Sequence, residues 1–120
     1  MGKKIIRIIA GAPPNDKKTK EEFHNWLDEE HVRNLFKFKK MKRATNYRII
    51  NKGNPKFEPE FPGPEFITVM EFESEADYEE FEKSPEMATC IKNGLDKWGP
   101  DIGYKKLWWF MYESSLNLER

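Results

Sequence analysis

The chain has 120 residues, a length that suits one domain and leaves little room for two. Its 21 basic and 21 acidic side chains cancel, so no overall field attracts nucleic acid or an anionic membrane. Charged residues make up 35% of the chain, but 9 Phe, 4 Trp and 4 Tyr supply the aromatic area that disordered chains lack.

The first half of the chain predicts a strand, a helix and a second strand. Residues 3–10, KKIIRIIA, are β-branched and compact, as in a buried strand. A helix is predicted to begin at Thr19, whose spacing to Glu22 is that of a capping box, and to end near residues 35–38. Residues 41–50, MKRATNYRII, alternate like a strand, but neither face is purely apolar. The alternation therefore leaves open which face meets the core.

Residues 51–65 form a long connection that contains four prolines, which exclude a central strand or a helix. Phe57 and Phe61 lie in this arm and are costly to leave in water. They either pack on their own domain, or the arm covers a pocket or crosses to a partner chain.

The second half predicts a strand, helical segments and a last strand. Residues 65–72, EFITVMEF, show the clearest strand-like alternation of side chains in the sequence and are predicted to form a strand. Ser74 is suited to cap the helix that follows, and Pro85 to the first turn of the next helical segment, which Gly94 or Gly99 could end. A final aromatic strand, GYKKLWWFMYE, is predicted before the C-terminal tail.

The predicted order of strand, helix, strand, strand, helix, strand is the ferredoxin-like βαββαβ plan, an α+β fold. Right-handed crossovers give one antiparallel four-stranded sheet with both helices on one face. We expect a single domain over residues 1–113, followed by a tail over residues 114–120. The uncovered face of such a sheet needs a partner, because both faces of the last strand are apolar. The sequence therefore predicts a homodimer that pairs through its sheet faces.

Other classes of partner are not expected. Cys90 is the only cysteine, which excludes an intrachain disulfide and fits a reducing, cytoplasmic compartment. No apolar stretch approaches the roughly 20 residues that span a bilayer, so we expect no membrane partner. RNA-binding domains share the βαββαβ order, but their third strand carries a Gly-rich aromatic signature that EFITVMEF lacks, so nucleic acid is not expected either.

The stretch EEFHNWLDEEHVRNL, residues 21–35, carries the candidate chemistry. On a regular helix His31 lies beside Leu27 and Asn34 at the edge of the apolar face, where a half-buried imidazole can exchange a proton. Asp28, one turn away, is expected to orient His31 through a hydrogen bond to one ring nitrogen. The alternative is a structural histidine that bonds a backbone carbonyl.

Three further interpretations concern the surroundings of His31. His24, Asp28 and His31 share one stripe, but no further ligand is evident, so no metal site is predicted. Tyr47 is either a proton donor in the site or a packed aromatic side chain. Five apolar residues are predicted to line a substrate pocket, unless they belong to the core or the dimer interface: Trp26, Leu27, Phe66, Met70 and Trp108.

EFHNWLDEEHVRNL, RATNYRII and PEFITVMEFES together resemble the dimeric α+β barrel superfamily, and within it the EthD-like proteins. These are small ferredoxin-like domains that pair through their sheets, and one helix carries an aromatic residue followed by a histidine, here Trp26 and His31. The superfamily includes polyketide cyclases, dehydratases, isomerases, cofactor-independent monooxygenases and haem-degrading enzymes. The resemblance therefore implies a fold and a dimer, and leaves the reaction open.

Two functions follow from these residues and the resemblance. The first is an enzyme or binding protein for a small apolar carbonyl or phenolic compound of polyketide type, with His31 as acid and base, assisted by Asp28 and Tyr47. Lyase, isomerase or cyclase chemistry of this kind needs no cofactor and is favoured over a monooxygenase reaction. The second is a non-catalytic dimeric module that binds a ligand or a protein, with structural histidines. The two differ in whether His31 faces a cavity.

Overall fold

The structure is a computed structural model that describes residues 4–11, 17–50, 65–98 and 108–120. Its strands are β1 (Ile5–Gly11), β2 (Met41–Arg48), β3 (Phe66–Phe72) and β4 (Trp108–Glu113). Its helical segments are α1 (Lys17–Trp26), a π turn (Leu27–His31), α2 (Val32–Leu35), α3 (Glu75–Glu82) and α4 (Pro85–Trp98).

The four strands form one sheet in the order β2-β3-β1-β4, and every neighbouring pair is antiparallel. The two strands at the centre, β1 and β3, are joined to the two edge strands by the helical crossovers. The predicted ferredoxin-like α+β fold is confirmed, because this order is what two right-handed crossovers of the βαβ type produce.

Most of the predicted element boundaries are confirmed within two residues. The Ser74 hydroxyl accepts a hydrogen bond from the backbone N–H of Asp77 at 3.1 Å, as a helix cap should. Pro85 is the first residue of α4, where its missing N–H costs nothing. The helix α1 begins at Lys17, two residues before the predicted start, so Thr19 lies inside its first turn and not at its N-cap.

The remaining predictions concern the end of α4, the connection between β2 and β3, and the start of β4. Gly94 does not end α4, because it lies inside the helix and is buried there. The second possible terminator, Gly99, the proline-rich residues 51–64 and the first residues of the predicted last strand, 103–107, lie outside the described part of the chain.

The helices pack on one face of the sheet. Along β3, Phe66, Thr68, Met70 and Phe72 are buried on that face, while the side chains between them are half-buried on the other. The buried side chains form two clusters. The larger one contains Ile5, Leu35, Met41, Met70, Phe72, Tyr78, Phe81 and Cys90. The smaller one contains Phe23, Trp26, Leu27, Phe66 and Trp98.

An irregularity in β2 decides which of its side chains face the helices. The register shifts between Met41 and Arg43, so the simple alternation over residues 41–50 does not hold. Beyond the shift, Asn46 pairs with Thr68 on the helix side, whereas Tyr47 pairs with Ile67 on the other side. Tyr47 is 55% exposed there, and the alternation pattern alone did not decide which face it occupies.

The opposite face of the sheet lies away from the described helices and is apolar at its centre, while Glu71 and Arg43 pair on the same face toward one end. Its central residues Ile8 and Val69 are paired across β1 and β3 and are half-buried. Phe110 and Tyr112 of β4 are about half exposed, at 52% and 49%. Among the helices that the structure describes, none is both long enough and apolar enough to cross a membrane.

Candidate functional site

The chain departs from a regular helix at the residues that carry the candidate chemistry. In the π turn the backbone N–H of Val32 bonds the carbonyl of Leu27, five residues earlier. On an α-helix, residues five apart point about 140° away from each other, at about 100° per residue. The wider turn brings Trp26 and His31 together instead, with ring centroids 4.5 Å apart and planes inclined by 27°. The stack is thus a consequence of the π turn.

The His31 ring is half-buried, and its Nδ1 atom is buried without a hydrogen-bond partner among the described residues. Burial lowers the pKa of His31 to about 4, because desolvation disfavours the charged imidazolium. The imidazole is therefore neutral at pH 7. Among the described residues Nδ1 has no backbone carbonyl to bond, so this nitrogen gives no support to the alternative of a structural histidine.

A network on the α4 side of the π turn holds Trp26. Its indole Nε1 donates to Asn93 Oδ1 at 3.3 Å, and Asn93 Nδ2 donates to Glu30 Oε1 at 3.4 Å. Trp98 packs edge-on against Trp26 with centroids 5.9 Å apart. Asn93 was not predicted as a site residue, since its role depends on a contact across 67 positions of sequence.

Asp28 lies on the other side of the turn and makes no hydrogen bond to His31. Its Oδ1 accepts from Asn46 Nδ2 at 2.7 Å, and its Oδ2 lies 3.6 Å from the guanidinium of Arg48. The expected orienting bond between Asp28 and His31 is therefore a misprediction. The reason is the extra residue in the π turn, which removes the regular spacing on which the expectation depended.

Asp28 ends a polar row that crosses two strands. The Thr68 hydroxyl donates to Asn46 Oδ1 at 2.9 Å, and Asn46 in turn donates to Asp28. An open cleft of about 440 Å³ lies beside the row. It is lined by Asp28, Val32, Arg33, Phe36, Ala44 and Asn46. Asn46 and Thr68 were not predicted as site residues, because the irregularity in β2 that aligns them has no signal in the alternation pattern.

His24 is a second buried histidine, and its Nδ1 also lacks a hydrogen-bond partner among the described residues. Its pKa is lowered by burial first and by the Arg48 cation second, against opposing effects of Glu65, Glu21 and Asp28. Within the described ranges, no group of three or more His, Cys, Asp and Glu side chains is placed to hold a metal ion.

The structure brings together some of the predicted pocket residues and separates others. Trp26, Leu27 and Phe66 lie in the smaller buried cluster, beside the π turn. Met70 lies in the larger cluster and is fully buried, so it belongs to the core. Tyr47 lies on the opposite face of the sheet from the helices, which separates it from His31 and removes it as a direct proton donor there.

The last predicted pocket residue, Trp108, lies at the start of β4, where its backbone pairs with Ala10. Its side chain is outside the described part of the structure. Its predicted place in the pocket therefore stays a prediction.

No protein-family model matches the sequence, and no curated protein matches it. Solved structures do match the fold. An ethyl tert-butyl ether d (EthD) family protein from Bacillus halodurans C-125 superposes with a TM-score of 0.69 at 17% identity, covering 92% of this chain and 98% of that one.

Two further structures show the same likeness. A dabb family protein with a ferredoxin-like fold from Mesorhizobium loti MAFF303099 has a TM-score of 0.60 at 17% identity and covers 98% of this chain and 99% of its own. A dimeric protein of unknown function with a ferredoxin-like fold from Bacteroides fragilis NCTC 9343 has a TM-score of 0.62 at 14% identity, with 92% and 96% coverage. At these identities the likeness establishes the fold.

Proposed function

We propose that the protein is an EthD-like enzyme that acts on a small apolar carbonyl or phenolic compound by acid/base chemistry without a cofactor, with His31 as the proton-transfer group. One observation supports this above the others: the Nδ1 atom of a half-buried, neutral imidazole has no hydrogen-bond partner among the described residues, and its ring is stacked on Trp26. Proteins rarely leave such a nitrogen unpaired, and exceptions concentrate at functional sites.

The chemistry follows from the neutral ring. A neutral imidazole accepts a proton from a phenolic hydroxyl or from the carbon next to a carbonyl, and returns it to another atom of the same compound. No electrons leave the substrate, so cyclisation, dehydration and isomerisation are balanced without an oxidant. After the ring takes up the proton and before it returns it, His31 is an imidazolium, and the face of Trp26, with ring centroids 4.5 Å apart, stabilises this cation.

A second candidate function is a binding module that performs no reaction. It is favoured by the same lowered pKa of His31, about 4, because an imidazole that resists protonation is a weak base at neutral pH. In this case Nδ1 accepts a hydrogen bond from a bound hydroxyl and the proton stays on the ligand. Both candidates place the ligand at His31, which is not among the residues that line the 440 Å³ cleft, and they differ in whether the ligand is converted.

The proposal is tested with a panel of phenols and β-diketones added to the folded protein. The ring signals of His31 in NMR spectra identify the compounds that bind, and their conversion is then followed by mass spectrometry. His31→Gln is expected to lower the rate of conversion by about 100- to 10,000-fold, the usual contribution of a positioned acid/base group. Conversion at an unchanged rate in a folded His31→Gln variant would rule out the catalytic role.

We also propose that two copies pair through the apolar sheet face described above. Val69 lies near its centre and Phe110 near one edge. Val69→Arg places an unpaired charge in such an interface, and we expect the dimer to dissociate about 100-fold more readily. Ala88→Arg adds the same side chain on the exposed surface of α4 and serves as the control. Sedimentation measures both, and a monomeric wild-type chain at micromolar concentration would contradict the pairing.

A further inference from the structure

One side-chain amide of α4 is hydrogen-bonded on both sides to residues at the π turn. Asn93 accepts a hydrogen bond from the indole of Trp26 and donates one to the carboxylate of Glu30. Trp26 directly precedes the turn, and Glu30 is its fourth residue. The amide therefore contacts both ends of the segment whose geometry sets the position of His31.

We propose that Asn93 is a positioning residue, which holds the π turn in register from α4 and thereby keeps His31 stacked on Trp26 with its Nδ1 unpaired. Its contribution to turnover depends on the proposed function of His31. Its effect on the His31 ring does not, because that effect can be measured without a substrate.

The π turn needs such a restraint because it contains one residue more than a regular helical turn would. If the turn closes with α-helical bonds instead, the flanking helix rotates by about 100°, the angle of one residue. The stack between Trp26 and His31 cannot survive that rotation, since five-residue spacing separates side chains on an α-helix. A restraint that contacts both Trp26 and Glu30 opposes the change directly.

An amide side chain is required at position 93, because the site needs both a donor and an acceptor. Asparagine supplies one acceptor oxygen and one donor nitrogen, and the structure uses both. Aspartate in its place has no donor and faces the carboxylate of Glu30, whereas leucine leaves the indole N–H without an acceptor.

The test compares Asn93→Leu with Asn25→Leu in the full chain. Asn25 is exposed on α1, one residue before Trp26, so it controls for the same substitution on a neighbouring helix surface. NMR titration follows the His31 ring in both. In Asn93→Leu we expect the pKa of His31 to rise from about 4 to about 5 or above as water reaches the ring, and the ring-current shift from Trp26 to be lost. Asn25→Leu should leave both unchanged.

Two further variants keep the test decisive if Asn93→Leu does not fold. Asn93→Asp removes the donor with little change in volume and is expected to move the His31 signals in the same direction. Glu30→Gln keeps an acceptor oxygen for Asn93 and is expected to leave them in place. The proposal is overturned if folded Asn93→Leu or Asn93→Asp shows the wild-type pKa and the wild-type ring-current shifts at His31.

The result separates this inference from the proposed function. If His31 moves in the Asn93 variants but no panel compound is converted by the wild type, Asn93 positions a histidine that is not catalytic. If compounds are converted and His31→Gln abolishes conversion while the Asn93 variants behave as wild type, the function holds and the positioning role fails.

Discussion

The two sides of the π turn differ in how their polar groups are paired. On the β2 side, Asp28 is a charged group at the surface, and Asn46 and Arg48 supply a hydrogen bond and an opposite charge. On the α4 side, the neutral ring of His31 is largely shielded from solvent, and its Nδ1 atom has no hydrogen-bond partner among the described residues. The first arrangement stabilises a charge, whereas the second leaves a proton acceptor available.

The difference in pairing between the two sides indicates which of them carries the function. Exposed pairs such as Asp28 and Arg48 contribute little to stability, about 0–1 kcal/mol. A buried polar atom without a partner costs about 1–3 kcal/mol and is expected to persist only where something else requires it. We therefore assign the paired carboxylate of Asp28 a structural role, and the unpaired Nδ1 of His31 is the functional candidate. Three perturbations test this separation.

The largest expected effect is on stability at low pH. The pKa of His31 is about 4 in the folded chain and about 6.5 in an unfolded one, so the unfolded chain binds more protons between these values. The stability that His31 contributes is present above pH 6.5 and is lost as the pH falls toward 4. The loss amounts to about 3 kcal/mol, at 1.36 kcal/mol for each pH unit.

Urea unfolding of the wild type and of His31→Gln at pH 7 and at pH 4 measures this loss. His24 acts in the same direction, since its pKa is also lowered by burial, and it remains in both proteins. The difference between the two proteins therefore isolates His31. An equal loss of stability in both would mean that the ring is hydrated in the folded state and that the two sides of the turn do not differ.

The next effect concerns the polar row. Asn46→Leu removes the acceptor of the Thr68 hydroxyl and the donor to Asp28, and should destabilise the chain by about 1–3 kcal/mol. In the background of Thr68→Val the same substitution should cost less, because the hydroxyl that it would leave unpaired is gone. Thermal unfolding of the single and double variants measures this coupling, and fully additive effects would argue against a connected row.

Much of the fold could be predicted from the sequence because it depends on periodic burial. The alternation in EFITVMEF corresponds to the buried and half-buried residues of β3, and the cap at Ser74 and the first-turn Pro85 are both confirmed. These signals are local, since each depends on a few neighbouring residues whose backbone geometry is regular. These signals fail where the backbone departs from regular geometry.

The candidate site lies where the backbone is irregular. Trp26 and His31 were identified, but a regular helix would have placed Asp28 beside His31 and Trp26 far from it, the reverse of what the π turn does. The shifted register in β2 likewise places Asn46 on the helix side and Tyr47 on the other. Asn93 depends on the packing of α4 against the turn, which no spacing within one segment encodes.

The smallest expected effect is that of Asp28→Asn. Asparagine keeps an oxygen that can accept from Asn46 and gives up only the surface ion pair with Arg48, so the loss of stability should stay below about 1 kcal/mol. The pKa of His31 should remain at about 4, because burial alone lowers it and Asp28 makes no hydrogen bond to the ring. NMR titration of Asp28→Asn beside Asn93→Leu compares the two sides directly. If Asp28→Asn moves the pKa of His31 and Asn93→Leu does not, the histidine is controlled from the β2 side, and the assignment of roles to the two sides is reversed.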